Sequence, residues 1–167
     1  MAAAAFSKEA LPITSGYLPV DTSTNASLFF AFCEVIAPLA ALADTPLLLW
    51  FEGDPGCSGL LNNFLQLGPY FLSRRSSNGA SLSRNPFVWN RCFGLLFLDS
   101  LLGTGFSAAP SSVDIPRSQP IIVEHVLVAL QSFFKASQAD FRARPIFLAD
   151  ESHVGKYVPR QLCASSQ

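Results

Sequence analysis

Strands that are apolar at every position, alternating with helical stretches, predict an α/β fold built on a mainly parallel sheet covered on both faces. Three runs carry that expectation: Pro46–Phe51 (PLLLWF), Phe93–Leu98 (FGLLFL) and Pro145–Ala149 (PIFLA). A strand with one wet face alternates apolar and polar residues; these runs do not alternate, so neither face is expected to meet water. Between the second and third runs, Ile121–Ala136 places Ile122, Val126, Ala129, Leu130 and Phe133 at helical spacing, which predicts an amphipathic helix packed on the sheet.

The remaining elements follow in chain order. Ile13–Val20 and Ser27–Val35 are apolar and aromatic-rich, and Asp21-Thr22-Ser23-Thr24-Asn25 between them is turn-forming, so an N-terminal β-hairpin is predicted. After the first apolar run, a short helix is expected from about Ser58 to Leu67, stopped by Gly68-Pro69. Ser73–Asn85 (SRRSSNGASLSRN) is polar with no apolar period and reads as a surface loop carrying solvated Arg74, Arg75 and Arg84. Ala108–Pro120 reads as a second, Pro/Ser-rich loop, and a further helix is expected from Val154 onward. Residues 1–12 form an N-terminal extension and 13–167 a single domain, with no internal repeat.

Composition narrows the function classes. Half of the residues are hydrophobic, enough for a true core, while only 14% are charged, so little of the sequence suits a water-facing surface. That imbalance predicts an interior cut out of a larger fold. A formal net charge of −1 gives no electrostatic reason for nucleic acid or an anionic membrane as partner. The helical stretch contains Glu124, His125 and Lys135 and is too short to span a bilayer. Cys33, Cys57, Cys92 and Cys163 are scattered, without a C-x-x-C pair or histidines at zinc spacing, so they read as small core residues and no metal is expected. Trp50 and Trp89 likewise read as core, and His125 as a helix-surface or packed histidine. The alanine run from Met1 to Phe6, followed by Lys8 and Glu9, lacks the pattern of a signal peptide, and the sequon Asn25-Ala26-Ser27 is expected as an exposed turn.

The candidate chemistry lies where the third run ends, at Asp150-Glu151-Ser152-His153-Val154-Gly155. A serine on a sharp strand-to-helix turn is a nucleophile elbow, which needs small residues on either side because its backbone is strained. Taken alone, D-x-S-x-V in place of G-x-S-x-G is a weak signal. Several further segments add to it in order: Ser15-Gly16-Tyr17-Leu18-Pro19-Val20, Trp50 leading into Gly53-Asp54-Pro55-Gly56-Cys57-Ser58, and Leu67-Gly68-Pro69. Asn85-Pro86 with Trp89-Asn90, Asp99 with Gly103-Thr104-Gly105-Phe106-Ser107, and Gly155-Lys156-Tyr157-Val158-Pro159 complete the set. Over residues 15–160 the chain resembles the serine carboxypeptidases, most nearly the plant-type carboxypeptidase-like members.

The resemblance implies an incomplete α/β-hydrolase fold, a peptide or small acyl substrate, hydrolysis of C-terminal peptide bonds or acyl transfer, and no cofactor. It assigns Ser152 as the nucleophile, with the backbone N–H groups of His153 and Asp54 as the oxyanion hole. It assigns Glu52, Gly53, Gln66 and Glu151 to recognition of the substrate's terminal carboxylate. It also implies a secretory family, vacuolar or extracellular; the family's cysteine at position 57 is disulfide-bonded to a distant downstream cysteine, so with that partner missing a free Cys57 is expected.

Several positions depart from the family pattern. Glu52 replaces a neutral donor and would face a carboxylate with like charge, an arrangement disfavoured unless one group takes a proton. Asp54 replaces a glycine where the loop approaches the reacting carbonyl; Asp150 and Val154 replace small residues beside Ser152, each change costing roughly 1–3 kcal/mol. The triad aspartate and histidine of the family lie far beyond the serine, whereas this sequence ends at Gln167 and holds only His125 and His153. The expectation is an inactive chain, with the third apolar strand left as an exposed edge open to aggregation or edge pairing. The alternative readings are a non-catalytic binding or regulatory protein and the product of a decayed gene.

Overall fold

A computed structural model describes residues 13–53, 56–75, 79–137 and 139–152. The predicted hairpin forms from β1 (Ile13–Asp21) and β2 (Ala26–Cys33), paired antiparallel from Ile13↔Cys33 to Asp21↔Ala26 with an irregularity between Pro19 and Asp21. Its turn is held by the Asp21 carboxylate, which accepts hydrogen bonds from the Ser23 hydroxyl at 2.7 Å and the Ser23 amide at 2.8 Å. Those two bonds hold the Asp21 carboxyl below its ordinary pKa. Asn25, exposed in the turn as the sequon predicts, adopts φ +63°.

The apolar runs become β3 (Leu47–Phe51), β6 (Gly94–Leu98) and β7 (Ile146–Asp150). Between β3 and β6 lie α1 (Leu60–Leu65), β4 (Tyr70–Arg75) and β5 (Gly79–Arg84). The long helix is α2 (Gln119–Ala136), followed by the single turn α3 (Ala139–Arg142). The main sheet has five strands in the order β1-β2-β6-β3-β7. It is mixed: β6–β3 and β3–β7 pair in parallel, and the hairpin adds antiparallel β1–β2 and β2–β6 pairs.

Strands β3 and β6 are buried at all five positions each, as their unbroken apolar sequence requires. Alternate residues serve opposite layers. Leu47, Leu49, Phe51, Leu96 and Leu98 pack with Val126, Ala129 and Phe133 of α2, whereas Leu48, Trp50, Leu95 and Phe97 pack with Cys33 and Leu67 on the other face. Fully burying each such Leu or Phe contributes about 1.5–3 kcal/mol. The buried stripe of α2 includes Val126, Ala129 and Phe133 as predicted, with Val123 in place of the half-buried Ile122.

Four expectations need correction. Ser73–Asn85 is not a loop: β4 and β5 form a two-stranded ribbon in which Ser73 faces Ser81, their hydroxyls 2.8 Å apart. Most of the described side chains of the ribbon are exposed or half-buried, so the backbone pairs without any apolar period to announce it. Second, PIFLA is not buried on both faces. Strand β7 pairs only with β3 among the described residues, and Ile146 and Phe147 are 46% and 52% exposed. Third, the cysteines are not all core: Cys33 is buried, Cys57 half-buried and Cys92 exposed, all three free, with Cys163 outside the described residues. Burial pushes the Cys33 thiol up to about 12. Fourth, Trp89 stays 43% exposed and meets buried Trp50 edge-on at 6.3 Å. The expected helix after Val154 and the extension 1–12 lie outside the described residues.

One polar cluster ties the strand ends opposite the candidate site. Arg144, 3% exposed just ahead of β7, donates from Nη1 to both oxygens of Glu34 at 2.9 Å and from Nε to the Thr45 carbonyl at 2.6 Å. Its guanidinium also lies 5.0 Å over the Phe141 ring.

Candidate active site

The register of the parallel strands builds the site. Phe51 pairs with Asp150 at the last rung of β3 and β7, so Glu52-Gly53 and Glu151-Ser152 leave the sheet side by side at its C-terminal edge. Ligands of parallel sheets bind at that edge. Ser152 adopts φ +62°, the left-handed region that a residue with a Cβ seldom occupies. The backbone is strained at Ser152, as the predicted elbow requires of its serine, while the residues that follow lie outside the described ones.

Gly53 is pressed against that turn. A Cβ on Gly53 would lie 2.8 Å from the Ser152 Cβ and 2.7 Å from the Glu151 carbonyl carbon, and closer still to the carbonyl oxygen. No side chain fits, so the identity of residue 53 follows from packing against the serine. Gly59 is restricted in the same manner at the start of α1, where a Cβ would meet the Leu98 carbonyl oxygen at 2.6 Å.

The two carboxylates converge on a residue that sequence reasoning did not single out. Asn62 on α1, 4% exposed, donates from Nδ2 to Glu52 Oε2 at 2.6 Å and to Glu151 Oε2 at 3.4 Å. The Gly53 N–H points to Glu52 Oε1 at 3.4 Å. A signal for Asn62 existed: Leu60-Leu61-Asn62-Asn63-Phe64-Leu65 places two amides inside an otherwise apolar helix, and both are buried. Gln66 does not join them. It caps α1 as an exposed residue, its N–H donating to the Asn62 carbonyl at 3.1 Å and its carbonyl accepting from Asn85 Nδ2 at 2.7 Å. Asp54 and His153, the expected oxyanion-hole donors, lie outside the described residues.

A second buried carboxylate supports the loop that enters α1. Asp99, 1% exposed at the end of β6, accepts from the Ser58 hydroxyl at 2.5 Å and from the Phe106 N–H at 2.8 Å. Ser107 donates to the Asp99 carbonyl at 2.7 Å and accepts from the Phe29 N–H at 2.8 Å. Gly105, at φ +53°, leaves room for the Asp99 carboxylate that any side chain would take. The Asp99 and Gly-Thr-Gly-Phe-Ser segments singled out by the sequence thus act as one brace beneath the site.

His125 is far from Ser152. It sits on α2, half-buried, beside a cavity of about 400 Å³ that is also lined by Asp21, Thr24 and Arg117. Burial holds its imidazole below the ordinary range, opposed by Glu124 and Asp21. α2 packs on β1, and β1 and β7 are opposite edges of the sheet. Four strand spacings separate those edges, roughly 19 Å, so His125 cannot take the Ser152 proton. Among the described residues no three His, Cys, Asp or Glu side chains gather as metal ligands would, and no helix is long and apolar enough to cross a membrane.

The described geometry is thus a serine at φ +62° at the C-terminal end of a parallel strand, with a glycine-bearing loop folded onto it. In comparison with known proteins, the serine carboxypeptidase family profile matches residues 6–164. This chain belongs to the serine carboxypeptidase family. It is 48% identical over 154 residues to serine carboxypeptidase-like 50 of Arabidopsis thaliana, covering 92% of this chain and 34% of that protein. Serine carboxypeptidase S10 family member 1 of Dictyostelium discoideum is 36% identical over 145 residues, covering 87% and 33%. Among solved structures, Kex1Δp, a prohormone-processing carboxypeptidase from Saccharomyces cerevisiae, superposes with a TM-score of 0.80 at 26% identity, covering 91% of this chain and 33% of that one. The chain therefore carries part of the α/β-hydrolase fold of this serine carboxypeptidase and spans about a third of the length of these relatives.

Proposed function

We propose that Ser152 is the nucleophile of a serine carboxypeptidase-type reaction, hydrolysis of a C-terminal peptide bond or its acyl-transfer counterpart, and that these 167 residues do not perform it alone. The observation that carries the reading is Ser152 at φ +62° with Gly53 packed on its Cβ. The serine oxygen attacks the carbonyl carbon, and the oxyanion is received by the backbone N–H groups of His153 and Asp54. A general base must accept the serine proton and return it to the leaving group. Of the two histidines present, His125 sits on α2, which packs on β1 at the edge of the sheet opposite β7, and His153 adjoins the serine in sequence and lies outside the described residues. Loss of a triad member costs on the order of 10⁴–10⁶ in rate. The secretory route is the compartment that membership of this family favours.

The test is labelling with a serine-directed fluorophosphonate, on the 167-residue polypeptide and on the product of the full transcript. We expect no label on the former, and label on the latter that Ser152→Ala removes. Label at Ser152 of the 167-residue polypeptide overturns the inactivity; absence of label from the full product overturns the nucleophile. A second reading, a non-catalytic binding protein, draws support from the exposed Ile146 and Phe147 on the β7 edge. It expects a soluble stoichiometric complex, and recovery only as aggregates counts against it.

A further inference from the structure

The sequon Asn25-Ala26-Ser27 has no part in the chemistry at Ser152, and the fold presents it in a form that can be modified. An N-linked oligosaccharide asks for an asparagine amide in solvent, a hydroxyl residue two positions on, and a middle residue other than proline. Asn25 is exposed in the turn of the N-terminal hairpin, Ala26 opens β2, and Ser27 supplies the hydroxyl. Its neighbours are held the other way. Ala26 is 1% exposed and, with half-buried Thr24, lines the cavity beside His125. With both flanking residues turned inward, a sugar on Asn25 displaces nothing that is packed, and the Asn25 side chain makes no hydrogen bond among the described residues that it would have to give up. The backbone at φ +63° suits an asparagine, which tolerates the left-handed region better than most residues with a Cβ. Ser27 is fixed through its backbone: its N–H donates to the Ala108 carbonyl at 3.2 Å and its carbonyl accepts from the Ala108 N–H at 2.9 Å, a pairing in which the hydroxyl has no share.

We propose that Asn25 is a site of N-linked glycosylation, an inference that rests on the secretory route favoured above. Asn25 Nδ2 forms a bond to the anomeric carbon of an oligosaccharide carried on a lipid diphosphate. The bond from that carbon to the phosphate oxygen breaks, the lipid diphosphate leaves with the electron pair, and the amide nitrogen gives up a proton. Nothing is oxidised or reduced.

The experiment expresses the full-transcript protein in cultured plant cells in two forms, with its own N-terminus and behind a cleavable secretory leader. Each is treated with an amidase that releases N-linked sugar and converts the carrying asparagine to aspartate. Peptide mass spectrometry should find that conversion at Asn25 in both forms, and electrophoretic mobility should rise by the step one oligosaccharide accounts for. Asn25→Gly should lose that step; glycine adopts φ +63° freely, so the loss cannot be put down to a broken turn. Ser27→Ala keeps the backbone pairing with Ala108 and should also lose it, whereas Ser27→Thr should retain it. Unmodified Asn25 in the leader-bearing form overturns the proposal, as does modification that survives Ser27→Ala. Modification of the leader-bearing form alone supports the acceptor site and overturns the secretory route, so the two readings fail separately.

Discussion

Gly53 packs against the Glu151-Ser152 turn with no room for a Cβ, and a single methyl group tests that packing. Because a Cβ at residue 53 would meet the Ser152 Cβ at 2.8 Å and the Glu151 backbone, one of the two turns must shift to admit alanine. Gly53→Ala should destabilise the fold by about 1–3 kcal/mol in urea titrations and abolish fluorophosphonate labelling of Ser152 in the full-transcript protein. Unchanged labelling would show that the elbow does not depend on this contact. Ser152 was read from the end of an apolar run together with the family motif, and Glu52, Gly53 and Glu151 from the family resemblance; the strand register brings the four side by side. Asn62 was not, because its partners are set by how α1 lies across two strand ends, which no local pattern encodes. Gln66 was read from the family motif alone; helical spacing from Asn62 and the end of α1 leave it exposed.

At the scale of elements, the strands and α2 were readable wherever burial imposes a period, and unreadable where it does not. Ser73–Asn85 has the composition of a loop yet pairs as β4 and β5, because an exposed two-stranded ribbon asks only for extended backbone and compatible neighbours. Arg144 and Glu34 show the reverse case, in which two polar residues 110 apart in sequence join elements that apolar pattern alone leaves unlinked. The Arg144 side chain is 0% exposed and that of Glu34 30%, so removing the acid leaves a buried guanidinium short of its ion-pair partner. Glu34→Met should therefore cost about 3–5 kcal/mol, and the double change to Glu34→Met with Arg144→Met less than the sum of the two single changes. Additive losses in a denaturant double-mutant cycle would contradict a coupled pair.

Across the whole molecule, the order β1-β2-β6-β3-β7 places the most apolar strands at the centre and one apolar strand at an edge. Several large apolar side chains stand out from the surface: Leu39, Val113, Phe87 and Phe106 are 100%, 83%, 79% and 61% exposed. At β7 the exposure coincides with unpaired backbone, since Ile146 and Phe147 stand out on a strand whose described pairing is with β3 alone. Natural sheets blunt such edges with charge, proline or a covering segment, and a bare apolar edge templates pairing with another chain. The 167-residue polypeptide should accordingly self-associate at micromolar concentration in size-exclusion chromatography. Phe147→Lys places a charge on that edge without touching the fully buried positions of β3 and β6. It should shift the elution toward the monomer while leaving the far-ultraviolet circular dichroism unchanged. If the unsubstituted polypeptide elutes as a monomer, or if Phe147→Lys associates as readily, the β7 edge is not the surface through which copies meet, and the separate exposed aromatics Phe87 and Phe106 become the residues to charge next.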